Sequence, residues 1–301
     1  MIRSLFVASL PLVCAAALPQ VASAQSAQPP ANERKYQSPY TLKFRFPPQQ
    51  LLGDLMQGRG DPKLSSEVPF TEWYSEATKR RYGTWGPPTR HYPAPQLQNQ
   101  SADFLRQRVL AVALHYQGCT YQHHHLPDWD PPTDFPWKEV SSGRNGKGVD
   151  CSNFTAFAYN LALGIKPTGA IADQAKMTTV DGPGPGASRK VERIELPDDR
   201  RDWADVLRPA DLLYIRGKPG GTVTHVVFWT GDLASSADGS SLPHPLILDS
   251  TGEGRTDDRR QAIPDGVYLR PLSERSWYAT NASHALRIIP DDGPSIGRKS
   301  R

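Results

Sequence analysis

The sequence predicts an α+β fold in which a nucleophile-bearing helix packs on an antiparallel sheet of about five strands. Three observations point there: two helical periodicities in the middle of the chain, a run of five short β-rich segments after residue 210, and mostly short connections between those segments.

The elements follow in chain order. Arg3 precedes an apolar run over residues 4–18, and Val21-Ala22-Ser23-Ala24 carries the small residues at which a signal peptidase cuts. Residues 1–24 therefore read as a signal peptide removed before Gln25. Pro11 and Pro19 break the run well short of the roughly 20 apolar residues of a membrane anchor, so no stable membrane insertion is expected after cleavage. Val13 before Cys14 is not the small residue that lipoprotein processing needs. Residues 25–100 are rich in proline and aromatic residues and read as an N-terminal extension, in which only 41–46 alternates like a strand. Trp73, Tyr74, Tyr82 and Trp85 suit a glycan grip, but packing onto the neighbouring domain is the ordinary use of such aromatics.

A domain is expected over 101–292. Phe104, Leu105, Val109, Val112, Ala113 and Tyr116 recur at helical steps, and Gly118 stands at the stop position. A loop of aromatics and histidines follows. A second helix runs from 151 to about 163, with Phe154, Phe157, Ala158 and Leu161 on one face and Gly164 at its end. Residues 166–205 contain Gly182-Pro183-Gly184-Pro185-Gly186 without sustained periodicity and read as a long, mobile insertion. Those glycines lack the Lys-Ser/Thr and helix of a phosphate cradle. The expected strands are 211–215, 223–229, 245–250, 267–270 and 285–289. Residues 293–301, with Arg298, Lys299 and Arg301, form a basic C-terminal tail.

Composition narrows the function. The chain has 301 residues, 38% hydrophobic and 22% charged, which excludes a disordered tail and a multi-span membrane protein. With 29 Pro and 24 Gly it is no coiled coil. A formal net charge of +4 is too small to argue for nucleic acid. No internal repeat is visible.

Cys151 falls in the first turn of the second helix, where unsatisfied backbone N–H groups and the helix dipole favour a thiolate. His225 opens the apolar strand Thr224-His225-Val226-Val227-Phe228-Trp229, from which its ring can act as a base. Asp249, near the end of the next strand, is the candidate acceptor that fixes the histidine tautomer. Each residue alone also fits a structural role: a buried thiol, a satisfied polar group, a turn cap before Gly252. In this order and on these elements they compose a nucleophile, a base and an orienting acid. Asp150 is placed to cap the helix and Asp211 to tie a turn after Pro209, so neither is assigned to catalysis.

At these residues the sequence resembles a known family. Gly148-Val149-Asp150-Cys151-Ser152, Pro209-Ala210-Asp211-Leu212-Leu213-Tyr214-Ile215 and His225-Val226-Val227 are similar to the nucleophile motif, the following strand and the histidine strand of NlpC/P60 cysteine peptidases. Ala113-Leu114-His115-Tyr116-Gln117-Gly118-Cys119-Thr120-Tyr121 resembles the segment that ends the family's first helix and supplies an active-site tyrosine. The resemblance covers 101–292. It implies a papain-like core and hydrolysis of amide bonds in peptidoglycan stem peptides, commonly beside D-glutamate. By that resemblance Cys151 is the nucleophile, His225 the base, Asp249 the third polar residue and Tyr121 a wall and hydrogen-bond donor of the site. Tyr121, Ser152 and His124 form the expected substrate and oxyanion side. The chain departs from the family at Asn153, where glycine is usual, and at Gln122-His123-His124-His125, where Trp-Gly-Gly is usual. Asp249 replaces the commoner histidine, and the gaps separating Cys151, His225 and Asp249 are long.

Several expectations accompany this reading. Consecutive histidines in an extended loop alternate in direction, so at most two of His123, His124 and His125 can share an ion; neither a metal nor another cofactor is expected. Cys119 and Cys151 are the two cysteines left after export and allow one disulfide or two thiols. Arg144, Lys147 and Arg255 can meet a substrate carboxylate or simply carry solvated charge. The protein is expected to be a periplasmic or secreted monomer. Two other functions use the same residues: an inactive relative that binds cell-wall fragments or a partner hydrolase, and a thiol acyl hydrolase or transferase acting on other amides or lipids.

Overall fold

Ser101 starts the first long helix of the domain by accepting a hydrogen bond from the Phe104 N–H on its side chain, at 3.1 Å. The computed structural model describes residues 36–56, 75–77, 80, 91–92, 95, 97, 100–119, 121, 149–183 and 186–291. The expected signal peptide over 1–24, Trp73, Tyr74, Tyr82, Trp85, the run His123 to His125, Arg144, Lys147 and the expected tail over 293–301 lie outside the described residues.

The described elements in chain order begin with β1 (Tyr40–Leu42) and α1 (Pro48–Met56). The two expected helices follow as α2 (Ala102–His115) and α3 (Cys151–Leu163), then the short α4 (Ile171–Gln174). Strands β2 (Thr179–Asp181), β3 (Ser188–Lys190) and β4 (Glu192–Ile194) precede α5 (Trp203–Val206). The second half holds β5 (Leu212–Arg216), β6 (Val223–Trp229), β7 (Ala234–Ser236), β8 (Leu246–Thr251), β9 (Arg255–Thr256), β10 (Ala262–Ile263) and β11 (Gly266–Pro271). Helix α6 (Trp277–Asn281) leads directly into β12 (Ala282–Arg287).

The main sheet is antiparallel throughout, with strand order β11-β8-β6-β5-β12-β4. Its first five strands are the five expected segments, and β4 adds a sixth. Alternation sorts their side chains. Leu212, Tyr214, Val226, Phe228, Leu246 and Leu248 join the core with α2 and α3. Leu213, Ile215, Val227, Trp229 and Ile247 pack with Trp203, Leu272 and Tyr278 in a second core. Both faces are covered, which is why the strands read as continuous apolar runs.

The stretch 166–205 is not the structureless insertion its sequence suggests. It contains α4, the paired strands β2 and β3, and the edge strand β4. Three-residue strands carrying Ser, Arg, Lys and Glu are too short and too polar to show a period of two. The expected strand at 41–46 is shorter as well: β1 ends at Leu42 and pairs with β7.

Residues 36–56 pack with the domain that follows. Leu51 of α1 is buried against Phe104 and Ala111 of α2. The fully buried Arg108 joins three helices, donating to both Asp54 carboxylate oxygens at 2.8 and 2.7 Å, to the Leu51 carbonyl and to the Ala162 carbonyl at 2.8 Å. Among the described residues no helix is long and apolar enough to cross a membrane.

Candidate active site

Helix α3 presents Cys151 as its first residue. Asp150 caps it, accepting from the Asn153 N–H on Oδ1 at 2.8 Å and from Asn153 Nδ2 on Oδ2 at 2.8 Å. Gly164, with φ of 67°, ends it in the left-handed conformation that glycine adopts at least cost. The loop before α4 holds the first turn in place. Ser152 Oγ donates to the Gly169 carbonyl at 2.6 Å, and the buried Gln174 Nε2 donates to the carbonyls of Ser152 at 3.1 Å and Thr168 at 2.7 Å. A Cβ at Gly169 would lie 2.4 Å from Asn153 Oδ1, so a larger residue there would displace the Asn153 side chain. On the other side Ser250 Oγ donates to the Val149 carbonyl at 2.6 Å, joining the approach to Cys151 to β8 beside Asp249. Cys151 is 6% exposed.

His225 and Asp249 lie on neighbouring strands, β6 and β8. His225 Nε2 is 2.8 Å from Asp249 Oδ1. Asp249 is fully buried, His225 nearly so. The other carboxylate oxygen, Oδ2, accepts the Tyr278 hydroxyl at 2.6 Å and lies 3.7 Å from Arg270 Nε. The ring of Trp277 stands 5.6 Å from that of His225, and the ring of Tyr278 6.0 Å. Burial is the largest influence on His225 and favours the neutral ring. The charges of Asp249 and Cys151 outweigh it, with hydrogen bonds to both, and hold the imidazole pKa well above its ordinary range. For Asp249 burial again opposes ionisation, but the His225 and Arg270 charges and the hydrogen bonds from His225 and Tyr278 keep the carboxylate below its usual pKa. With Nε2 on Asp249, the ring's other nitrogen is the one available to Cys151, whose charge bears on His225.

The other expected site residues fare differently. Tyr121 is pushed upward in pKa by burial and then by the charges of Cys151, Asp150, Asp249 and Glu253, which places it in the field of this group. Ser152 Oγ donates to the Gly169 carbonyl at 2.6 Å and lies 3.3 Å from Asp150 Oδ1. His124 lies outside the described residues. Cys119 and Cys151 are both free, and Cys119 is a fully buried thiol whose pKa burial raises. Among the described residues no group of three or more His, Cys, Asp or Glu side chains stands ready to hold a metal ion.

Three partners of the site escaped the sequence reading: Gln174, Arg270 and Tyr278. Gln174 lies in a four-residue helix, and Arg270 in Val267-Tyr268-Leu269-Arg270 reads as an outward cation. Tyr278 sits in a five-residue helix with no period to aim it.

No protein-family model and no curated protein matches the chain. Solved structures do. Its structural neighbours include NlpC/P60 family proteins. One is an NlpC/P60 family protein from Bacillus cereus ATCC 10987, at 20% identity and a TM-score of 0.34, covering 66% of this chain. The chain spans only 42% of that protein's length. The other is the NlpC/p60 domain of the peptidoglycan hydrolase SagA, at 18% identity and a TM-score of 0.31, covering 60% of this chain and 97% of that domain.

Proposed function

We propose that this protein is an exported cysteine hydrolase, active in the periplasm or the medium, that cleaves amide bonds in peptidoglycan stem peptides on a papain-like core of the NlpC/P60 kind. The observation that carries the reading is the 2.8 Å hydrogen bond from His225 to a fully buried carboxylate, with the charge of the helix-borne Cys151 also acting on the ring. An imidazole held between an acid and a thiol is the arrangement that activates a sulfur nucleophile.

In this mechanism His225 takes the Cys151 proton and the sulfur attacks the amide carbon. The Cys151 backbone N–H, at the start of α3, and the Tyr121 hydroxyl stabilise the oxyanion; loss of one such donor costs about 3 kcal/mol of transition-state stabilisation. His225 then gives its proton to the leaving amine, and water directed by the same ring hydrolyses the thioester. Asn153, which stands where the family usually has glycine, is engaged with Asp150 and packed on Gly169.

Incubation of the purified protein with defined stem peptides should release new amines detectable by mass spectrometry. Cys151→Ala should abolish that release and leave the circular dichroism spectrum unchanged. Turnover persisting in the Ala variant would remove the nucleophile assignment. Hydrolysis confined to lipid or small-molecule amides would redirect the substrate while keeping the chemistry.

A further inference from the structure

Each oxygen of the Asp249 carboxylate has its own partner. Oδ1 faces His225 Nε2 at 2.8 Å, and Oδ2 accepts the Tyr278 hydroxyl at 2.6 Å, the length of an O–H bond strengthened by charge. The ring that carries the hydroxyl is itself fixed. Tyr278 is 1% exposed in the second core, and the Arg255 guanidinium lies 5.4 Å over its face. Burial and then the charge of Asp249 raise the phenol pKa far above its ordinary range, so Tyr278 remains a donor.

Arg270 completes the surroundings. It is fully buried, and Nη2 donates to the Pro264 carbonyl at 2.8 Å and the Gly266 carbonyl at 3.1 Å. Nε and Nη1 make no hydrogen bond among the described residues. At 3.7 Å from Oδ2, Nε supplies charge to the carboxylate without competing for its lone pairs. A carboxylate held only by His225 is free to turn about its last side-chain bond. One held at both oxygens is not.

We propose that Tyr278 is a positioning residue whose hydroxyl, with the Arg270 charge beside it, locks Asp249 in the orientation from which Oδ1 holds His225 against Cys151. The inference rests on the catalytic reading of Cys151, His225 and Asp249. It makes the site a relay of four groups, with the fourth on a helix that carries neither the nucleophile nor the base.

The test is the pH dependence of Cys151 alkylation by iodoacetamide, with the labelled site identified by peptide mass. It requires no knowledge of the substrate. Tyr278→Phe preserves the ring and removes only the oxygen. Its alkylation plateau should fall about tenfold, the scale seen when an outer partner of a positioned ligand is lost. The basic limb of its profile should move to lower pH, because the imidazolium is held less firmly; a variant that merely loosens the fold would not move that limb. On a stem peptide that the wild type cleaves, kcat should fall with KM unchanged. In an Asp249→Asn background the same substitution should add nothing further, since its effect passes through Asp249.

Superimposable profiles for wild type and Tyr278→Phe would overturn the inference while leaving the catalytic reading intact. An undiminished effect in the Asp249→Asn background would do the same. A wild-type Cys151 that reacts like an isolated thiol at every pH would instead defeat the catalytic reading, and the inference with it.

Discussion

Asp211 at the foot of β5 and Asp249 in β8 are both carboxylates withdrawn from water, 2% and 0% exposed, and each has a buried arginine nearby. At Asp211 the arginine takes the oxygens directly. Arg287 Nη2 donates to Oδ2 at 2.8 Å and Nε reaches Oδ1 at 3.2 Å, while the Arg208 N–H adds a further bond at 2.8 Å. At Asp249 the arginine stands back at 3.7 Å, and the hydrogen bonds come from a histidine and a tyrosine. The first acid is saturated by a partner that never gives up its proton. The second is coupled to a ring that does. Burial alone therefore does not separate the two acids; whether the partner titrates does.

Substitution should separate the two. Asp249→Asn is expected to lower turnover by roughly 10⁴-fold, the order found when the acid behind a catalytic histidine is replaced by its amide. Asp211→Asn takes from the buried Arg287 guanidinium its buried carboxylate partner, leaving only the more exposed Asp291 at 3.2 Å and Glu192 at 3.9 Å, and should cost about 3 kcal/mol of stability, with turnover per folded molecule unchanged. Urea unfolding and kcat measured on both variants give the answer. Equal losses of turnover would erase the distinction.

The same contrast predicts a pH dependence. The His225 pKa is raised in the folded state, so the stability it contributes is fully present below the ordinary histidine value of about 6.5 and is lost as pH rises through the folded value. Asp249 acts at the other end: its pKa is lowered, so its contribution is present above the ordinary carboxylate range and is lost as pH falls through the depressed value. Unfolding free energy should therefore decline from neutral toward alkaline pH in the wild type. Asp249→Asn should flatten that decline, and Asp211→Asn should leave it intact. Urea titrations across this range would expose a wild-type curve that stays flat, which would contradict the coupling.

How much of this was legible in the sequence depends on the length of pattern each residue sits in. Helix α3 was readable because its apolar period extends from Phe154 to Leu161 and Gly164 stops it, which fixed Cys151 in the first turn. Strands β6 and β8 were readable as runs of six or seven residues, and in them His225 and Asp249 are the polar interruptions. The edge strand β4 and the β2–β3 pair were not, because three residues carry no period and Arg193 or Lys190 looks like solvent-facing charge. Tyr278 and Arg270 were hidden for a related reason. Their importance comes from what lies across the sheet, a fact of tertiary packing that local spacing does not encode.

A third acid sharpens the comparison with the smallest effect. Asp150 is 9% exposed and adjacent to Cys151, and its carboxylate accepts from the Asn153 backbone N–H and side-chain amide and, at 3.3 Å, from Ser152 Oγ, none of which titrates. If such partners set the role, Asp150 acts as a helix cap. Asp150→Ala should then cost about 1 kcal/mol, the usual penalty for removing a cap. Asp150→Asn keeps an acceptor of similar quality and should stay within a few tenths of a kcal/mol of the wild type. Thermal unfolding of the two variants distinguishes the possibilities. An Asn variant as unstable as the Ala variant would mean that charge, and not an acceptor in the right place, holds the turn from which Cys151 projects.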